Sequence, residues 1–271
     1  MNTYEMTDYE KGVGEMLKSA IYGLAVGDAL GVPFEFKKRG TFRCDEMTGY
    51  GTWDQAPGTW SDDTSMTVAT LDSIKETGRI DPEDMRRRFC DWLFRDAYTA
   101  CGKTFDVGNT TRIALDRGEG LDDYHANGNG ALMRILPLAF TEATDDEIRA
   151  VSGITHAHKL STDACVEYVH LARQLIGGEV VVRDEIKNKP MDAIQSTGFV
   201  GHTLEASIWC LLNTTSYTEA VLTAVNLGDD TDTTAAVVGG LAGILYGYDS
   251  IPKKWIEELK NKDLIDSILN K

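Results

Sequence analysis

The chain has 271 residues, is 42% hydrophobic, and carries a formal charge of −16, from 27 Lys and Arg against 43 Asp and Glu. That apolar share is ample for a packed core and excludes disorder of the whole chain. The anionic excess repels phosphates, so extended binding to nucleic acid or to an anionic membrane is not expected, and an anionic ligand needs a local site that overcomes the global field.

The opening stretch MNTYEMTDYEK is polar and acidic, unlike a secretory or transit peptide. Residues 16–29 place Leu17, Ile21, Leu24, Ala25 and Val26 in one apolar stripe, which predicts a helix. Within it Gly23, Gly27 and Gly31 recur every four residues, the spacing of a close helix contact, and Asp28 sits among apolar neighbours where it needs a partner. Met66, Ala69, Thr70 and Ile74 repeat the helical period, as do Met85, Phe89, Trp92 and Leu93 after the helix-start signal Asp81-Pro82. Residues 164–176, 204–212, 218–225, 234–246 and 253–259 read as further helices. Residues 179–183, with three consecutive valines, read as a short strand or as an extended connection between helices. Loops at 31–60, 116–130 and 177–201 are rich in Gly and polar residues, and loops this long often carry function.

No repeat or linker divides the chain, so the reading is a single all-α domain over residues 1–271. The longest apolar run, 235–248, is interrupted by four glycines and falls short of the roughly 18 residues a spanning helix needs. Five cysteines, odd in number and never in a CxxC pair, argue against a disulfide framework or a thiolate metal site and suit reduced thiols in a cytoplasm.

Chemistry concentrates where polar residues precede apolar helices. GTWSDDTSM offers Ser61, Asp62, Asp63 and Thr64, and NLGDDTDTT offers Asp229, Asp230, Asp232 and Thr233. Helix capping needs only one such residue per helix. Several carboxylates packed together repel one another unless something cationic neutralises them, and oxygen donors suit Mg²⁺, Mn²⁺ or Ca²⁺ over zinc. If the two motifs face each other they can hold two bridged cations. Neither has the EF-hand spacing. Asn127-Gly128-Asn129-Gly130 precedes an apolar segment read as a helix, so its backbone can approach a phosphate closely. The two histidines of THAH point apart on a helix and cannot chelate one zinc there.

In order along the chain, GLAVGDALGVPFEF, GTWSDDTSM, FDVGNTTRIAL, NGNGALMRILPLAF, ITHAH, STGFVGHTLEASIW and LGDDTDTTAAVVGGLAG resemble the ADP-ribosylglycohydrolase family, from residue 23 to about 243. The paired SDDT and DDTDT motifs are the specific part. The resemblance implies a single-domain orthogonal helical bundle with a binuclear Mg²⁺ or Mn²⁺ centre. Ser61, Asp62 and Asp63 match one ligand set, and Asp230, Asp232 and Thr233 the other. Ser61 stands where many members have Thr, and Asp229 where the family usually has Gly. Asn127, Gly128, Asn129 and Gly130 match the loop that cradles ADP-ribose, His156 a ligand-contacting histidine, and Gly198 and Phe199 a loop near the substrate.

The implied reaction is hydrolysis of the glycosidic bond between ADP-ribose and a protein side chain or small-molecule acceptor, releasing ADP-ribose. Glu35 is the first choice for proton transfer, with Asp63 or Asp106 the second. FDVGNTT also reads as a helix cap, and Glu35 as a surface partner of Lys37, Lys38 or Arg39. Two other functions stay open: a two-metal phosphohydrolase acting on a nucleotide-type substrate, and a catalytically silent ADP-ribose binder.

Overall fold

A computed structural model describes residues 8–271; MNTYEMT, the start of the stretch read as unlike a leader peptide, lies outside the described residues. The architecture is all-α. Among the described residues twelve α-helices are joined by loops and short 3-10 turns, and the β-type pairings are three isolated bridges. Among these residues no helix is long and apolar enough to cross a membrane, and all five cysteines are free thiols.

The centre of the fold is the antiparallel pair α1 (Asp8–Gly31) and α10 (Thr231–Tyr246). The glycine run on α1 makes their close approach possible. A Cβ at Gly23 would sit 2.3 Å from the Gly239 carbonyl oxygen, at Gly27 2.1 Å from that of Ala235, and at Gly31 2.3 Å from the Asp232 Cα. Only hydrogen fits between these backbones. Around the pair lie α2 (Asp62–Thr77), α6 (Lys159–Ile176), α8 (Val200–Leu212) and α9 (Tyr217–Asn226). Two buried phenols tie this shell to the centre: Tyr217 donates to the Gly23 carbonyl at 2.6 Å and Tyr168 to that of Val237 at 2.9 Å.

α2 is buried from Asp62 to Ser73 and ends at Gly78, in the left-handed region at φ 66°. After it, α3 (Pro82–Arg95) starts as its sequence predicts, with Asp81 accepting from the Asp84 N–H. α4 (Asn109–Arg117) and α5 (Asp145–Ser152) follow. The chain closes with α7 (Asp184–Lys187) before α8, then α11 (Lys253–Glu258) and α12 (Lys262–Leu269) after α10.

Besides four helices the sequence reading does not name, α4, α5, α7 and α12, the structure departs from it in three segments. First, the segment after Gly130 is not an α-helix but two 3-10 turns, Leu132–Arg134 and Leu136–Phe140. Pro137 has no N–H to bond the Met133 carbonyl, which instead accepts from Thr67 Oγ1 at 3.1 Å. Second, 179–183 forms no strand. It is the extended connection into α7, with Val180 and Val182 exposed and Val181 against the core. Third, α6, α8 and α10 begin at Lys159, Val200 and Thr231, several residues before their apolar period starts, because their first turns are polar.

Candidate active site

Because α1 meets α10 at Gly31 and Asp232, the last turn of α1 lies beside the first turn of α10. Asp28, in that turn, brings in the start of α2. Its carboxylate accepts from the Ser61 N–H at 2.9 and 3.0 Å, the Thr64 N–H at 3.0 Å and the Thr64 hydroxyl at 2.6 Å. Burial still pushes the Asp28 carboxyl up to about 6, against the pull of these hydrogen bonds. The buried, partnered Asp28 expected from sequence thus clamps α2 in place.

The two acidic motifs meet as their chemistry requires. Ser61 caps α2 through the Asp63 N–H, and its hydroxyl donates to Asp63 Oδ2 at 3.1 Å; the Thr233 hydroxyl reaches the same oxygen at 3.4 Å. Asp62 lines the cleft above with Asp230 and Thr233. One oxygen each of Asp28, Asp63 and Asp232 lie within 4.8 Å of one another, as do oxygens of Glu35, Asp230 and Asp232, so Asp232 belongs to both groups. Asp63 Oδ1, Asp230 Oδ1 and Asp232 Oδ2 are buried with no hydrogen-bond partner. Burial first, then mutual repulsion, holds the carboxyls of Asp62, Asp63 and Asp232 well above their ordinary range. Orphaned, crowded, all-oxygen donors are a set that a hard divalent cation fits.

Glu35 follows the turn Val32–Phe34 and is buried, only 6% exposed. Its carboxylate accepts from the Trp53 indole N–H, and its backbone carbonyl from the Thr52 hydroxyl at 2.7 Å. The surface alternative fails: Arg39 binds the carbonyls of Leu227, Met191 and Ile194, and Lys37 lies over the Phe34 ring. Burial, with Asp106 nearby, pushes the Glu35 carboxyl up to about 9. Asp106 takes a left-handed φ of 55° and lines the cleft with Glu35, and burial raises its carboxyl to about 6 against the pull of Asp232 and Glu35. The cap of α4 is Gly108, so Asp106 is free of that duty.

The glycine-rich loop forms the opposite wall. Asn129 donates its backbone N–H to the Gly198 carbonyl at 3.0 Å, and Val200 N–H reaches Asn127 O at 3.0 Å, zipping 127–130 to 198–200. The Asn127 side chain meets Tyr124 O, His158 and Ser161, which fixes the shape of the loop. Asn129 Nδ2 donates to Thr203 Oγ1 at 2.9 Å and to Asp230 Oδ2 at 2.8 Å, tying the loop to the carboxylates. A Cβ at Gly130 would lie 2.9 Å from His156 Cε1, so the histidine packs against bare backbone. The THAH histidines diverge, but off a helix: His156 turns to the cleft, while His158 accepts from the Leu160 N–H at the start of α6.

These residues enclose a cleft of about 380 Å³ with Glu35, Phe36, Trp53, Asp62 and Asp106 among its walls, together with Gly128, Gly130, His156 and Gly198. A second hollow, of about 330 Å³, shares Gly128 and Gly198 and adds Tyr124, His125, Asn127 and Phe199. Asp229 is exposed; its left-handed φ of 57° is a conformation Gly takes freely, and its backbone bonds Phe36 and Lys37. Trp53, held between Phe36 and Phe105 at ring distances of 6.3 and 5.8 Å, was not visible as a site residue in sequence, since a lone Trp in a polar loop carries no pattern.

Comparison with known proteins agrees with this geometry. Residues 11–271 match the family described as ADP-ribosylglycohydrolase. The chain is 33% identical over 281 residues to an ADP-ribosylarginine hydrolase of Serratia proteamaculans, covering 93% of this chain and 77% of that protein. It is 34% identical over 271 residues to the ADP-ribosyl-dinitrogen reductase glycohydrolase of Rhodospirillum rubrum, covering 90% of each. A solved ADP-ribosylglycohydrolase-related protein complex superposes with a TM-score of 0.79 at 29% identity, over 96% of this chain and 97% of that one. With the match running almost end to end, the chain belongs to the ADP-ribosylglycohydrolase family of enzymes.

Proposed function

We propose that the chain hydrolyses the glycosidic bond between ADP-ribose and a protein arginine, using two divalent cations, Mg²⁺ or Mn²⁺. The observation that carries the metal is the set of three buried, unpartnered carboxylate oxygens on Asp63, Asp230 and Asp232. Ser61, Asp62 and Asp63 from α2 would hold the ions together with Asp230, Asp232 and Thr233 at the start of α10. When bound, such ions orient ribose hydroxyls and make a water more acidic. The arginine linkage rests on the Serratia relative, named for ADP-ribosylarginine, and on a −16 chain that draws a cationic side chain.

The proton work falls to Glu35 and Asp106, whose environments push their carboxyls apart. Burial holds the Glu35 carboxyl higher than that of Asp106, an order that suits Glu35 as the acid and Asp106 as the base. Glu35 then gives its proton to the departing guanidine nitrogen as the bond to the anomeric carbon breaks. Asp106 takes a proton from the water whose oxygen bonds that carbon, and passes it back to Glu35. The remaining carboxylates stabilise the oxocarbenium-like state. Gly128, Gly130, His156 and Gly198 would border the diphosphate and ribose, with the rings of Tyr124, His125 and Phe199 flanking the base. ADP-ribose is then the product ligand, and a cytoplasmic protein substrate the partner.

The test is turnover of an ADP-ribosylarginyl protein with Mg²⁺ or Mn²⁺ and with chelator, read by mass spectrometry. Free ADP-ribose and restored arginine, lost on chelation, are expected. AMP plus a ribose phosphate would turn the assignment to a phosphohydrolase, and binding without turnover to a silent relative.

A further inference from the structure

The chain has a wholly buried cation beside the cleft that no carboxylate among the described residues neutralises. Arg134, 0% exposed, follows the cleft residue Met133. Its guanidinium donates to the Val151 carbonyl at 3.3 Å from both terminal nitrogens and to the Thr155 hydroxyl at 2.9 Å, and stacks 4.4 Å over the Phe89 ring. Its Nε has no partner, and among the described residues it takes part in no ion pair. A guanidinium left in this state is costly unless it does something for its neighbours.

The hydrogen-bond count at Thr155 says what that is. Thr155 is 0% exposed and its Oγ1 has two neighbours, the Arg134 donor and His156 Nδ1 at 2.8 Å. Arginine only donates, so one Thr155 lone pair is filled and the hydroxyl proton needs an acceptor. If His156 Nδ1 carried a proton, the Thr155 proton would have no acceptor in a dry interior. We infer that Arg134, acting through Thr155, fixes His156 as the neutral tautomer with Nδ1 bare and the proton on Nε2, a preset donor for an anionic oxygen in the cleft. Arg134 is a positioning residue, and His156 is the group that meets the ligand.

Other observations point the same way. His156 Nε2 makes no hydrogen bond within the described protein, and it packs against Gly128 and Gly130, 3.4 Å from where a Cβ of either would stand. Burial, with the Arg134 charge, depresses the imidazole to about 3, so it does not become a cation near neutral pH. The uncompensated charge behind the relay polarises each donor toward the cleft. It is a local device by which a strongly acidic chain can receive a diphosphate. That ligand assignment rests on the proposed function; the tautomer does not.

The tautomer is read by two-dimensional ¹⁵N–¹H NMR of the full chain labelled at histidine, without ligand, with His156 assigned by its absence in His156→Gln. The expected result is an unprotonated Nδ1 and a protonated Nε2. A protonated Nδ1, or an imidazolium at pH 7, overturns the inference whether or not any variant folds. Thr155→Val is expected to give mixed tautomers and to weaken ADP-ribose binding by calorimetry about 3- to 10-fold, the worth of one hydrogen bond. Thr155→Ser, which keeps the hydroxyl, is expected to restore both. An unchanged tautomer and affinity in the Val variant removes Arg134 from the relay. A wild-type chain with the expected tautomer but no affinity for ADP-ribose would sink the functional reading and leave the relay standing.

Discussion

Gly31→Ala and Gly23→Ala insert the same methyl into the same helix contact, yet only one should damage catalysis. At Gly31 the new Cβ would lie 2.3 Å from the Cα of Asp232 and 2.4 Å from its nitrogen, where 3.4–4 Å is ordinary contact. Both atoms are backbone, so the first turn of α10 must retreat by roughly 1 Å, carrying Asp232 away from Asp63 and Glu35. At Gly23 the methyl would meet the Gly239 carbonyl at 2.3 Å, an equally tight contact. Gly23 is two helical turns away, roughly 12 Å along the axis. Overpacking of this kind costs roughly 1–3 kcal/mol, and at about 2–4 °C per kcal/mol both variants should melt roughly 2–12 °C lower. A misplacement near 1 Å costs on the order of 10²-fold in rate, so Gly31→Ala should lose about that much kcat. Gly23→Ala should stay within about threefold, because distant sites act independently. Thermal melts by circular dichroism and steady-state release of ADP-ribose at saturating Mg²⁺ measure the two effects. Equal losses of kcat in both variants, or a normal kcat in a destabilised Gly31→Ala, would refute the link from helix packing to carboxylate geometry.

Other perturbations probe the charges directly. Glu35→Gln should lower kcat by roughly 10²–10⁴ with no fall in melting temperature, since it removes a buried ionisable group that Trp53 N–H can still bond; a normal kcat would end its proton-transfer role. Asp63→Asn should raise the melting temperature in chelator, by relieving repulsion with Asp28, Asp230 and Asp106, and should abolish any Mg²⁺-dependent rise; a lower chelated melting point counts against the cluster. In chelator the wild type should also be more stable at pH 5 than at pH 8. The Asp28 and Asp106 carboxyls are raised from 3.8 to about 6, so their favourable contribution is complete below the unfolded value and is lost as pH rises through about 6, with roughly 1 kcal/mol of the Asp28 share lost between pH 5 and pH 8; a flat profile by pH-dependent urea denaturation would contradict this. Gly130→Val should weaken ADP-ribose binding by calorimetry while sparing the Mg²⁺-dependent melting shift, because its methyls collide with His156 and Thr111 and not with the carboxylates.

What the sequence disclosed follows from how local each signal was. Eight helices are legible because their apolar period is local, while α4, α5, α7 and α12 are too short to show one; the glycine spacing on α1 announces its close contact with α10 because only a backbone approach needs it. The meeting of Ser61–Asp63 with Asp230–Thr233 is legible from their shared oxygen chemistry, since two such clusters make little sense apart. Asp28 is only half legible. Its need for a partner shows in its apolar setting, but that the partners are Ser61 and Thr64 depends on a crossing of α1 and α2 that no period encodes. Asn127 is also half legible, because a loop that holds a ligand and a loop that holds itself use the same residue types, and its side chain serves the second role here. Trp53, Arg134 and Thr155 lie beyond reach: each is placed by contacts with partners far along the chain, and a single residue has no spacing to read.

The charge balance of the site explains why fold and chemistry are tied together here. Seven carboxylates, of Asp28, Glu35, Asp62, Asp63, Asp106, Asp230 and Asp232, are drawn into one buried neighbourhood, and burial raises every one of them. The N-termini of α2 and α10 both point at it, but each supplies only about half a positive charge, far too little to balance the group. The apolar packing of α1 against α10, and of α2 along its buried length, must therefore hold the carboxylates together against repulsion. Protons can relieve that repulsion, and so can cations; two divalent ions would neutralise most of it and leave a small negative remainder. That remainder favours a reaction whose transition state gains positive charge at the anomeric carbon, as the proposed hydrolysis does. A more complete neutralisation would quiet the repulsion and, with it, the electrostatic reason for catalysis.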